Sequence, residues 1–180
     1  MYRDGSETRT FSMHNIIWAV LSGVIPDEKR DALISHIFDE DISKSSFSFN
    51  FYLFRALEES GHYDKAFDVL AQWQTMLDNH CTTWCENPDN PRSECHAWSC
   101  APYYEFSNNI LGVKAADHNE IIISPCPGKL TYAKGSVPTR HGNLNVSWTY
   151  ENGDFNIEVS GADGVCKKVF APDGKVFVVE

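Results

Sequence analysis

The spacing of the apolar residues changes near Gly112, and this change limits the possible folds more than any other feature of the sequence. Before Gly112 the apolar residues recur three and four positions apart, as they do on one face of an α-helix. After Gly112 they form short runs or alternate with polar residues, as at 145–150, which is typical of β-strands. Helices followed by strands predict an α+β fold in two parts.

Five helices are predicted in the first part. The first follows Ser12, which can cap a helix N-terminus, and the second begins at Pro26, because proline is favoured at the first helical position. Helices at 49–60 and 63–79 are joined by only two residues, so they are expected to form an antiparallel helical hairpin. The fifth helix is predicted at 101–111.

The second part is predicted to consist of short β-strands, at 120–124, 130–137, 145–150, 155–159, 164–170 and 175–179. The pairs Asn152-Gly153 and Asp173-Gly174 are strong signals for tight turns between strands. Several strands joined by short polar turns predict a small antiparallel β-sandwich. The boundary is placed at 114–119, so residues 1–116 form the helical domain and residues 117–180 the sandwich.

Charge and hydropathy exclude several classes of partner. The chain has 15 basic and 25 acidic residues, a net charge of −10, so neither nucleic acid nor an anionic membrane surface is an expected partner. No apolar run approaches the roughly 20 residues that a membrane-spanning helix needs. The residues after Met1 lack the apolar core of a signal peptide, so a cytoplasmic location is expected.

A carboxylate, an imidazole and two indoles lie close together in the irregular segment 81–99. They belong to Glu86, His96, Trp84 and Trp98. Aromatic rings stack on the apolar faces of sugars, and a carboxylate among them can act as an acid or a base in sugar cleavage. The alternative interpretation is that both tryptophans are core residues and that Glu86 is simply a solvated loop residue.

Six cysteines raise the question of a metal site. Four of them, with His96, lie within twenty residues, at positions 81, 85, 95 and 100. Zinc knuckles usually contain pairs of cysteines separated by two residues on tight turns, whereas the gaps here are three, nine and four residues, which argues against a zinc site. Disulfides are not expected in a cytosolic chain, so buried free thiols are the prediction. No metal or cofactor is expected.

The order of several motifs resembles that of the bacterial α-L-rhamnosidases. The matching segments are Thr82-Thr83-Trp84-Cys85-Glu86, Cys95-His96-Ala97-Trp98-Ser99, Ser12-Met13-His14-Asn15, Gly23-Val24-Ile25-Pro26, Phe54-Arg55-Ala56-Leu57, Gly61-His62-Tyr63-Asp64-Lys65-Ala66 and 125–142. This resemblance covers nearly the whole chain. It implies the C-terminal part of an inverting glycoside hydrolase that has an (α/α)6 barrel followed by a β-sandwich.

The resemblance also implies roles for five residues. Glu86 corresponds to the general base of the family, which activates water for attack on the anomeric carbon. His96 corresponds to a histidine that contacts the sugar, and Trp98 and Trp84 are expected to line the pocket. His14 belongs to a second motif near the pocket. Hydrolysis of terminal α-L-rhamnosyl linkages with inversion is the activity that these assignments imply.

The resemblance is incomplete in one respect. About five helices are predicted, whereas a complete barrel needs twelve, and no segment matches the motif that holds the family's general acid. One carboxylate of an acid–base pair cannot perform the inverting reaction alone. The chain is therefore expected to self-associate or to dock onto a missing half-barrel. The alternatives are a non-catalytic carbohydrate-binding or docking module and, more weakly, a zinc-stabilised interaction domain.

Overall fold

The computed structural model describes residues 2–87, 90–114 and 119–179. The chain divides into two compact units, one ending at Ala101 and the other beginning at Pro102. The first unit is helical and the second contains all the described strands. The predicted α+β class is therefore confirmed. The predicted domain boundary at 114–119 stays a prediction, because residues 115–118 lie outside the described residues.

The described residues form six α-helices, and the Ser12 side chain makes no capping hydrogen bond at the start of the first. Their bounds are α1 Met13–Leu21, α2 Asp27–Ile34, α3 Asn50–Glu59, α4 Ala66–Leu70, α5 Gln74–Asp78 and α6 Ala101–Glu105. Helix α2 starts directly after Pro26, with Asp27 and Glu28 in its first turn, where the helix dipole favours acidic side chains. Gly23, with a φ of 66°, follows the end of α1. Helix α1 packs against α3.

The core of the first unit is apolar and lies between its helices. Ile17, Ile34, Leu53, Phe54 and Leu57 are completely buried. Burying each such side chain contributes roughly 1.5–3 kcal/mol relative to leaving it in water. No helix among the residues described is long and apolar enough to cross a lipid bilayer.

Two of the predicted helices are less regular than expected. The segment predicted at 63–79 consists of 3-10 turns at Tyr63–Lys65 and Ala71–Trp73 that alternate with α4 and α5. The segment predicted at 101–111 is α6 followed by a π-helical turn, Phe106–Ile110. Apolar spacing alone does not distinguish these turns from an α-helix, because each is only three to five residues long and such a segment is too short to define a period.

The second unit contains two sheets. Its strands are β1 Val113–Lys114, β2 Glu120–Ile123, β3 Tyr132–Thr139, β4 Gly142–Glu151, β5 Asp154–Gly161, β6 Cys166–Phe170 and β7 Val176–Val179. Strands β3, β4 and β5 form an antiparallel sheet, and the other sheet has the order β1-β2-β6-β7. The turns at Asn152-Gly153 and Asp173-Gly174 connect paired strands, as predicted.

The prediction of a purely antiparallel arrangement is wrong for one pair of strands. Strands β2 and β6 run parallel, from Glu120 opposite Cys166 to Ile123 opposite Val169. A parallel pair needs a long connection, and the complete β3–β5 sheet lies between these two strands in sequence. The alternation of apolar residues indicates a strand but carries no information about its direction.

Strand β4 supplies the centre of the second core. Leu144, Val146 and Trp148 alternate along it and are buried, which agrees with the alternation at 145–150 in the sequence. The indole Nε1 of Trp148 donates a hydrogen bond of 3.1 Å to the Ile110 carbonyl, which satisfies a backbone acceptor at the end of the π-helical turn. This bond ties the antiparallel sheet to the π-helical turn within the unit.

Candidate functional site

The segment between α5 and the 3-10 turn Ala97–Ser99 is a folded hairpin-like loop. Its two arms are joined by hydrogen bonds from the His96 amide to the Trp84 carbonyl, 2.7 Å, and from the Glu86 amide to the Ser93 carbonyl, 2.9 Å. The Thr83 hydroxyl also donates to the Glu94 carbonyl. Pro88 and Asp89 lie outside the described residues. The loop therefore holds the arm with Glu86 against the arm with His96.

The start of this loop is set by the end of helix α5. His80 has a φ of 55°, in the left-handed region. The Cys81 amide donates to the Met76 carbonyl and the His80 amide donates to the Leu77 carbonyl, which together form a Schellman motif. The chain therefore leaves the helix in a defined direction, toward Glu86.

The Glu86 carboxylate is paired with an arginine. Arg92 Nε donates a hydrogen bond of 3.1 Å to Glu86 Oε2, and Arg92 Nη2 donates to Glu86 Oε1. This hydrogen bonding by Arg92, together with its positive charge, lowers the pKa of Glu86, and His96 lowers it further. The carboxylate is therefore held in its charged form, which is the form that a general base needs.

His96 and Trp98 lie next to one another on the return arm. Their ring centroids are 6.3 Å apart, and the rings meet edge to face at 65°. The Trp98 side chain is 80% exposed, whereas the adjacent Ser99 is completely buried. The Ser99 carbonyl accepts a hydrogen bond of 2.8 Å from Trp73 Nε1. The backbone under Trp98 is thus anchored in the core while its indole remains open to solvent.

A hollow of about 350 Å³ lies beside Trp98. It is lined by Ser48, Phe49, Phe51, Tyr52, Trp98 and Ala101. Its volume is within the range typical of small-molecule pockets. The His14 imidazole contacts the Phe49 ring, with a centroid separation of 4.2 Å. Two of the predicted site residues, His14 and Trp98, therefore border the same aromatic surface.

The predicted site residues are brought together to different degrees. Glu86, His96 and Trp98 lie on one loop, whose two arms are joined in part through the Trp84 carbonyl. The Trp84 side chain is half-buried. His14 is linked to this region through Phe49 and not through the loop. The roles assigned to these five residues stay predictions.

Sequence reasoning missed two parts of the site. Arg92 is the direct partner of Glu86, and the only signal for it is an opposite charge six residues away within one loop. The second part is the pair Phe49 and Tyr52, which line the hollow. Phe47 and Phe54, in the same aromatic run, are buried. The spacing of three between Phe49 and Tyr52 places both on one side of the helix.

The cysteine-rich segment does not assemble a metal site within the described residues. There, no three histidine, cysteine or acidic side chains come together in a way that could hold an ion. All six cysteines are free thiols, as predicted, but only Cys85 is buried, so the prediction of burial is wrong for the other five. Burial raises the pKa of the Cys85 thiol, and the nearby Cys81 thiol raises it further. A raised thiol pKa disfavours the thiolate that would be the zinc ligand.

Comparison with known proteins identifies the relatives of this chain. Residues 114–176 match the bacterial alpha-L-rhamnosidase C-terminal domain. The chain is related to the C-terminal part of bacterial α-L-rhamnosidases. An α-L-rhamnosidase of Alteromonas sp. (strain LOR) is 31% identical over 58% of this chain and 13% of its own length. That of Formosa agariphila (strain DSM 15362) is 25% identical over 78% of this chain and 17% of its own length.

Solved rhamnosidase structures share the fold. The chain is similar to a GH78 family rhamnosidase of Bacillus sp. GL1, with 30% identity and a TM-score of 0.81, over 95% of this chain and 20% of that protein. It is also similar in fold to an α-L-rhamnosidase of Streptomyces avermitilis, with 23% identity and a TM-score of 0.72, over 87% and 18% of the two chains. The relationship inferred from the sequence motifs is confirmed. The chain spans a fifth or less of the length of each of these relatives.

Proposed function

We propose that the chain is the C-terminal part of an inverting α-L-rhamnosidase that hydrolyses terminal α-L-rhamnosyl linkages. In this proposal the helical unit supplies the last helical hairpins of an (α/α)6 barrel and docks onto the helices that complete it. The observation that carries the proposal is the loop at 81–99, where Glu86, His96 and Trp98 follow one another on a single anchored hairpin. The choice of α-L-rhamnose as the sugar rests on the names of the relatives, which are α-L-rhamnosidases.

Glu86 is the general base of the proposed reaction. It takes a proton from a water molecule as the water oxygen bonds to the anomeric carbon and the glycosidic carbon–oxygen bond breaks. The departing oxygen receives a proton from a general acid, which in inverting enzymes lies about 6.5–9.5 Å from the base. We assign this acid to a segment outside the chain. The lowered pKa of Glu86 keeps the base ionised in weakly acidic solution.

The neighbouring side chains bind the sugar in this proposal. The His96 imidazole can donate to one hydroxyl group and accept from another. The exposed Trp98 indole offers a flat apolar surface for the face of the pyranose ring that has few hydroxyl groups. Trp84 and His14 border the same region, His14 through its contact with Phe49.

A non-catalytic carbohydrate-binding module is the second candidate. It is favoured by the Glu86–Arg92 pair, because both carboxylate oxygens already accept hydrogen bonds in this chain. The exposed Trp98 would then serve for binding alone. In that case the chain binds a neutral sugar without cleaving its bond.

Two measurements distinguish these functions. The first is turnover of an aryl α-L-rhamnoside by the complete enzyme that contains this chain, in wild type, Glu86→Gln and the control Glu59→Gln, an exposed residue at the end of α3. Loss of turnover, by about a hundredfold or more, only in Glu86→Gln supports the hydrolase. The second is L-rhamnose binding by the chain, followed by NMR. Binding that is lost in Trp98→Ala, without any turnover by the complete enzyme, supports the module; retained turnover in Glu86→Gln contradicts the assignment of the base.

A further inference from the structure

The Glu86–Arg92 contact has the geometry of a specific pair and not of a chance surface contact. Two different nitrogens of one guanidinium donate to the two oxygens of one carboxylate, which is the bidentate arrangement that fixes both groups in a plane. The Glu86 side chain is only 17% exposed, whereas that of Arg92 is 85% exposed. The pair therefore joins a mostly buried carboxylate side chain to a guanidinium side chain that stays largely in solvent.

The loop backbone presents the two groups to each other. The Glu86 amide donates to the Ser93 carbonyl, which places the backbone next to Arg92 beside Glu86. His96, on the same return arm, is a second neighbour that lowers the pKa of Glu86. Both neighbours favour the carboxylate over the neutral acid. The fold of the loop thus determines the charge state of its acidic residue.

We propose that Arg92 is a positioning residue that holds the Glu86 carboxylate in one orientation and in its ionised form. Its relevance to catalysis rests on the proposed function, in which Glu86 is the base. The two carboxylate oxygens together offer about four acceptor positions, of which the guanidinium occupies two. The Arg92 backbone N–H also hydrogen-bonds the carboxylate, so about one of the four positions remains for a water molecule. Arg92 therefore fixes the base and leaves room for one further donor.

This arrangement has a cost that can be measured. A carboxylate bonded to arginine is a weaker base, because the positive charge stabilises the ionised form. Removing Arg92 would raise the pKa of Glu86 toward its ordinary value. The acidic limb of the pH profile of kcat/KM, which reports the essential base of the free enzyme, would then move to higher pH.

The first test measures the ion pair directly and needs no activity. The Glu86 side-chain carboxyl carbon is followed by NMR during a pH titration of the ¹³C-labelled chain, and its signal is assigned by its disappearance in Glu86→Gln. In Arg92→Gln we expect the Glu86 titration to move to higher pH. In Arg92→Lys, which keeps the positive charge but loses the bidentate guanidinium, we expect the Glu86 titration to move by a smaller amount in the same direction.

A matched control comes from the second unit. Lys175 Nζ bonds Asp173 Oδ2 at 2.7 Å and lowers the pKa of that carboxyl. Lys175→Gln should therefore raise the pKa of Asp173 and leave the pKa of Glu86 unchanged. Backbone amide spectra of each variant confirm that the fold is intact. An unchanged Glu86 titration in folded Arg92→Gln overturns the inference.

The second test separates this inference from the proposed function. In the complete enzyme, Arg92→Gln should shift the acidic limb of kcat/KM upward, and Arg92→Lys should restore part of the wild-type profile. An acidic limb that stays in place while the Glu86 titration moves overturns the positioning role. Turnover that survives Glu86→Gln instead refutes the proposed function, while the ion pair seen in the NMR titration stands.

Discussion

Replacing Gly112 by alanine should destabilise the second unit far more than the same change at Gly153. Both glycines have a left-handed backbone, with φ of 90° and 88°. A side chain in this conformation costs roughly 1–2 kcal/mol at either position. At Gly153 an added Cβ would meet no atom within 4 Å, whereas at Gly112 it would lie 2.6 Å from Pro125 Cα and from the Ser124 carbonyl carbon.

The clash at Gly112 determines how much more Gly112→Ala destabilises the unit than Gly153→Ala does. An ordinary contact of a Cβ is 3.4–4 Å, so the backbone at Ser124 and Pro125 would have to move by about 1 Å. Overpacking of this kind typically costs about 1–3 kcal/mol. A hydrogen bond also joins these two parts of the chain, because the Gly112 carbonyl accepts a hydrogen bond of 2.7 Å from the Ser124 amide. We therefore expect Gly112→Ala to lower the free energy of unfolding by about 1–3 kcal/mol more than Gly153→Ala does.

The assay is urea unfolding of the complete chain. Trp148 is the single tryptophan in the sequence after Pro102, so its indole NMR signal reports this unit alone. With a slope of about 1 kcal/mol per molar urea, the two midpoints should differ by about 1–3 M. The effect of alanine on the unfolded chain is the same in both variants and cancels in the comparison. Equal midpoints would show that the close approach of Ser124–Pro125 to Gly112 does not exist in solution.

Two further predictions concern the loop that carries the candidate site. Trp73→Phe should destabilise the helical unit by about 1–3 kcal/mol, because it leaves the buried Ser99 carbonyl without its hydrogen-bond donor. Thermal unfolding, followed by the Trp98 indole signal, measures this loss. Unchanged stability would mean that the hydrogen bond contributes nothing. His80→Gly should stabilise the chain by up to about 1 kcal/mol, because glycine adopts the left-handed conformation at the end of α5 without strain. A lower urea midpoint for His80→Gly would contradict that interpretation of the helix end.

Much of the fold could be predicted because its signals are local. Helix α1 and helix α2 begin within one residue of the positions that Ser12 and Pro26 indicated. The turn at Asn152-Gly153 connects β4 and β5, since asparagine and glycine tolerate the positive φ that a tight hairpin requires. These signals act within a few residues of chain, so no tertiary contact is needed to interpret them.

The candidate site could be predicted only in part, for the same physical reason. The motif around Glu86, His96 and Trp98 was visible as residue types at a fixed spacing. The partner of Glu86 was not visible, because Arg92 contacts it only after the loop folds back on itself. The hollow beside Trp98 was also hidden, since its other walls come from helix α3 and the turn before it.

By itself, the sequence determined the order of helices and strands, the position of the turns, and the relationship to the α-L-rhamnosidases. It determined these because period, capping residues and motif spacing are properties of short segments. The tertiary structure alone decided that β2 and β6 run parallel, that Arg92 pairs with Glu86, and that Trp98 stays exposed while the adjacent Ser99 is buried. These features depend on contacts between separate parts of the chain, which form only when the folded backbone brings those parts together.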